Sequence, residues 1–93
     1  MKYGIEQLRQ YASIMSSDKI TKGVTYDFNQ SANALEVGDK KYKHSIDVIH
    51  FLHNGLNHVK YGLDNWGDGY KEEKKRQQKR LKDYQEAINF IEK

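Results

Sequence analysis

Ninety-three residues with 37% apolar side chains and a net charge of +3 are enough for one small folded domain, spanning 1–93, and too few for two. The chain has no cysteine, which excludes disulfides and thiolate metal sites, and no proline, so no helix interior is broken by a ring. No apolar run approaches the ~20 residues that span a bilayer, and MKYGIEQLRQY lacks the apolar segment of a signal peptide, so the expectation is a cytoplasmic protein without a membrane partner.

Residues 3–17 read as a first helix. Ile5, Leu8, Ala12 and Met15 recur at helical spacing with Tyr11 beside them, and the plain expectation is a lid over one edge of the core. The period then changes to two. Val24, Tyr26 and Phe28 alternate with Thr25, Asp27 and Asn29, the pattern of a half-buried strand, and Gln30–Asn33 is polar and turn-like. Leu35 and Val37 flank Glu36, Gly38-Asp39 is a two-residue hairpin signal, and Lys40–His44 supplies a third strand. In that register Val37 faces Lys40, Glu36 faces Lys41 and Leu35 faces Tyr42, while Phe28 faces Leu35 and Tyr26 faces Val37.

Ser45–Leu63, SIDVIHFLHNGLNHVKYGL, is the strongest helix signal in the chain. Ile49, Leu52, Leu56, Val59 and Leu63 form one stripe, and Ser45 can accept a hydrogen bond from a first-turn amide. The expected fold is therefore α+β: a helix, a three-stranded antiparallel meander, then two helices, with this central helix packed on the sheet. Asp64–Gly69 reads as a tight connection. It lacks a calcium-binding pattern, because Trp66 stands at a ligand position and Lys75 where a bidentate glutamate is required.

Residues 70–92 read as a third helix. Leu81, Tyr84, Ile88 and Ile91 make a stripe that turns polar backwards through Gln77, Lys74 and Tyr70, so its first half is expected to project or lie over a surface. Glu72 with Arg76 and Lys79 with Asp83 have the spacing of helical ion pairs. Lys71–Lys82 holds seven Lys/Arg and two Glu, a net +5, so the rest of the chain sums to −2 and the excess basicity belongs to this segment.

No nucleophile–base arrangement or phosphate-cradling glycine loop is present, and the paired carboxylates, Glu72-Glu73, are neighbours that diverge on a helix, which points away from an enzyme. His44, His50, His53 and His58 invite a metal reading. His50-x-x-His53 supplies two ligands at most, and His44, Asp47 and Asn57 complete no recognised spacing, so neither metal nor cofactor is expected. Two contact surfaces remain. Lys74, Lys75, Arg76, Lys79, Arg80 and Lys82 suit phosphates or an acidic partner. His50, Asn54, Asn57 and Tyr61 line the side of the central helix away from its stripe, and Trp66 is an aromatic anchor beyond it. The plain alternative for both is solvated surface.

The stretch EVGDKKYKHSIDVIHFLHNGLNHVKYGLDNW is similar in outline to small phage and mobile-element proteins of Gram-positive bacteria, among them anti-CRISPR inhibitors. Abundant Lys, Asn, Tyr and Ile, and the lack of Cys and Pro, belong to the same likeness. It implies a non-enzymatic protein that inhibits a host protein or nucleoprotein in the host cytoplasm. The basic composition argues against mimicry of phosphate. The runner-up is a small DNA- or RNA-binding regulator using the third helix, and a further possibility is a homodimer paired through that helix.

Overall fold

The computed structural model describes residues 1–16, 22–65 and 71–92, and four helices account for nearly all of them. These are α1 (Lys2–Met15), α2 (Lys22–Val37), α3 (Ile46–Asn65) and α4 (Lys71–Glu92). Among the described residues there is no strand, so the architecture is all-α and the expected meander does not form.

The correction lies in residues 22–37. Val24 and Phe28 do alternate with polar residues, but Val24, Phe28, Ser31 and Leu35 also recur at steps of four, three and four. The helical set is the one that packs. Phe28, Ser31, Ala32 and Leu35 are buried, whereas Tyr26 is 64% exposed and Val37 78% exposed. A strand would have put Tyr26 and Val37 on the same face as Phe28 and Leu35. Ala32 and Ala34 favour helix, and α1 supplies the apolar partner that a lone hairpin would have lacked.

Gly38 does adopt the positive φ expected of it, at +73°, but it ends a helix instead of turning a hairpin. The Asp39 amide donates to the Ala34 carbonyl at 2.8 Å, and the Gly38 amide to the Leu35 carbonyl at 3.3 Å. This pair is the Schellman closure of a helix C-terminus. The Asp39 carboxylate then accepts the Lys41 amide at 2.9 Å and turns the chain toward α3. Residues 40–44 therefore form a link, and the proposed pairings of Val37, Glu36 and Leu35 with Lys40, Lys41 and Tyr42 are absent.

α1 is more than an edge lid. It packs mainly on α2 and also on α4, while α3 packs mainly on α4. Tyr11 meets Phe28 and Arg9 bonds Glu36, so α1 and α2 run antiparallel. His53 meets Glu92 and Gly55 approaches Tyr84, so α3 and α4 do the same. The core is shared by all four helices: Leu8 and Ala12, Phe28 and Leu35, Val48, Leu52 and Val59, then Tyr84, Ala87 and Ile88. Each fully buried large apolar side chain contributes about 1.5–3 kcal/mol.

Ser45 caps α3 as expected, its Oγ accepting the Val48 amide at 3.3 Å. The buried stripe is centred slightly differently from the sequence pattern. Val48, Leu52 and Val59 are buried, while Ile49, Leu56 and Leu63 are half-buried. In α4 the stripe holds, with Tyr84 and Ile88 buried and Leu81 and Ile91 packed against the core. Of the two expectations for its polar first half, lying over a surface fits: Lys75, Arg76 and Lys79 stay exposed. Gln77 and Arg80 are half-buried beside α1 and α3, lining a cleft with Tyr3 and Gly55. The spaced ion pairs are also replaced. Arg76 pairs with Glu73 at 3.0 Å, and Asp83 accepts the Tyr3 amide at 2.9 Å. No described helix is long and apolar enough to cross a membrane.

Candidate binding surface

Residues His50, Asn54, Asn57 and Tyr61 follow steps of four, three and four along α3, which stacks them in one line. All four are exposed, and Tyr61 stands 70% in solvent. The opposite stripe carries Val48, Leu52 and Val59 into the core, so helix geometry fixes the outward direction of this line.

The N-terminal end of the line opens onto a cleft of about 290 Å³ where α1, α2 and α3 converge. Tyr11, Phe28 and Phe51 form its aromatic wall, with ring centroids 4.7 Å, 5.0 Å and 5.3 Å apart. His50, Asn54 and Asp47 supply its polar rim, with Val24 at the side. Phe28 anchors this wall from the core, while Tyr11 and Phe51 are only half-buried. An aromatic wall with a polar rim makes a shallow cleft with room for one partner side chain. Nothing in the sequence pattern singles out Tyr11 or Phe51 as contact residues. A helical wheel shows one element at a time, and this cleft exists only because three elements meet.

Other predicted residues fall elsewhere. His58 is exposed and lines a separate cleft with Gly62, Gln77 and Arg80. Trp66 lies outside the described residues, as does the rest of the loop to Tyr70. In the basic segment Lys75, Arg76, Lys79 and Lys82 are exposed, and Lys74 and Arg80 are half-buried. The Arg80 guanidinium lies over the Tyr3 ring, 4.7 Å from its centroid. The same ring meets Tyr84 edge-on at 5.3 Å. Burial and the neighbouring Tyr3 push the Tyr84 hydroxyl up to about 12.

The histidines separate by environment. The His53 Nε2 is 2.7 Å from the Glu92 carboxylate and ties α3 to the end of α4. His44 Nδ1 meets the buried Ser31 Oγ at 2.8 Å, and its ring stands edge-on to Tyr42. Burial lowers the His44 pKa below 6.5, against an opposing pull from Asp39. Among the described residues no three His, Cys, Asp or Glu side chains are placed to hold a metal ion.

No protein-family model, no curated protein and no solved structure matches this chain.

Proposed function

We propose that the chain is a non-enzymatic binding protein that inhibits a host protein or nucleoprotein by occupying part of its surface through α3. The observation that supports this is the exposed line His50–Asn54–Asn57–Tyr61 running into the aromatic cleft of Tyr11, Phe28 and Phe51. Tyrosine brings large contact area at low entropic cost, and His and Asn form adaptable hydrogen bonds. A partner side chain entering the cleft would bury rings that are already fixed by the core, so little ordering cost is added on binding. The hairpin part of the likeness to phage inhibitors falls with the meander. The composition part remains as the reason to look for a bacterial target.

The test is capture from bacterial lysate with the tagged chain and with a His50→Ala/Asn54→Ala/Tyr61→Ala variant. A stoichiometric partner that the wild type retains and the triple variant loses supports the reading. The absence of any stoichiometric partner, or its equal retention by the variant, counts against it.

A further inference from the structure

The α1–α4 seam brings together cations that are far apart in the chain. Lys2 of α1 and Arg76, Lys79 and Arg80 of α4 line one cleft of about 220 Å³ around Tyr3. Two carboxylates, Glu6 and Asp83, share it. Asp83 is already engaged, accepting the Tyr3 amide and lying 3.5 Å from the Met1 amine. The Met1 amine also pairs with Glu86 at 3.0 Å, which neutralises the next carboxylate along α4. The cleft therefore keeps an excess of positive charge.

One of its cations is held in place before any ligand arrives. Arg80 is half-buried and stacked over Tyr3, whereas Arg76 is exposed and its charge is partly met by Glu73. A stacked guanidinium uses its face and leaves its in-plane N–H donors free for oxygen atoms. Lys2, Lys75, Lys79 and Lys82 are exposed and form no ion pair with another described residue. Lys75, Lys79 and Lys82 recur at steps of four and three on α4, so they extend one charged line over about 10 Å of helix. A fixed arginine flanked by a line of lysines matches the repeating charge of a nucleic-acid strand better than a single small anion.

We propose that this seam is a sequence-independent binding site for nucleic-acid phosphates, with Lys2, Lys79 and Arg80 as its centre and Lys75 and Lys82 along the strand. It is independent of the α3 surface and adds a second contact for a nucleoprotein target. Affinity arises from release of counterions as the lysines neutralise phosphates, and so weakens as salt rises.

The test is fluorescence anisotropy with short fluorescein-labelled single-stranded and duplex DNA, at about 50 and about 200 mM salt. Wild type binds at the lower salt and loses affinity at the higher. The Lys2→Gln/Lys79→Gln variant weakens binding about tenfold and flattens the salt slope by about two units. Lys41→Gln/Lys43→Gln removes the same charge from exposed lysines of the α2–α3 link and changes affinity less than about twofold if the seam is the site. Arg80→Lys keeps the charge but gives up the planar stack, and weakens binding severalfold. No binding by wild type at low salt overturns the proposal, and so does equal weakening by the two double variants, which would mean that net charge alone is being read.

Discussion

The ring of Tyr84 occupies the space beside Gly55 where any other residue would carry its side chain. A Cβ built on Gly55 would lie 2.6 Å from Tyr84 Cζ and 2.7 Å from its hydroxyl oxygen. Glycine inside a helix costs about 1 kcal/mol relative to alanine, and here that cost makes room for the Tyr84 ring against α3.

Gly55→Ala should therefore destabilise the protein despite its better helix propensity. Tyr84 is buried and held edge-on by Tyr3, so its ring has little room to retreat. Overpacking of about 1–3 kcal/mol outweighs the propensity gain, and urea unfolding should show a net loss of about 1–2 kcal/mol. Repeating the substitution in a Tyr84→Leu background should shrink that loss or reverse it, because the clashing ring is gone.

Residues 22–37 can be tested by comparing two aromatic residues two positions apart. Phe28 is 2% exposed, so Phe28→Ala should cost about 3–5 kcal/mol, close to the whole stability of a small domain. Tyr26 is largely exposed, and Tyr26→Ala should change stability by less than about 0.5 kcal/mol. On a strand the two would share a face and both substitutions would be costly. A large loss for Tyr26→Ala in thermal melting would refute the helical assignment of α2.

Gly38 is the point where backbone conformation, not space, restricts the residue. Nothing lies within 4 Å of an added Cβ, yet φ is +73°. Gly38→Ala should cost about 1–2 kcal/mol from the left-handed conformation alone, and Gly38→Asn less, because asparagine tolerates that region. Chemical denaturation of both variants measures the difference.

The link after α2 carries a pH dependence. His44 has a folded pKa below 6.5, with burial as the main cause and Asp39 opposing it. Between the folded value and 6.5 the unfolded chain binds more protons than the folded one. Stability should therefore fall as pH drops from 6.5 through the folded pKa, and be indifferent to His44 above 6.5. Melting temperatures measured stepwise from pH 7.5 downward should show the decline. His44→Gln should remove that part of it.

Much of the helix plan was legible from local pattern. Ile5, Leu8 and Ala12 placed α1, Ser45 with its three-and-four stripe placed α3, and Tyr84, Ile88 and Ile91 placed the second half of α4. The outward line of His50, Asn54, Asn57 and Tyr61 followed from the same wheel. In each case one period dominated, and residues on the opposite side were polar enough to exclude another reading.

Residues 22–37 were ambiguous because two periods coexist there. Val24 and Phe28 satisfy both, and Tyr26 and Val37 fit the strand while Ser31 and Ala32 fit the helix. Only tertiary packing decided between them. α1 offers Leu8, Ala12 and Tyr11 to one helical face of α2, so burial rewards the period of 3.6 and leaves Tyr26 and Val37 in water. The aromatic cleft of Tyr11, Phe28 and Phe51, and the gathering of Lys2 with Lys79 and Arg80, were likewise beyond local pattern. A sequence specifies which faces are apolar or charged, but which faces meet depends on how the helices dock.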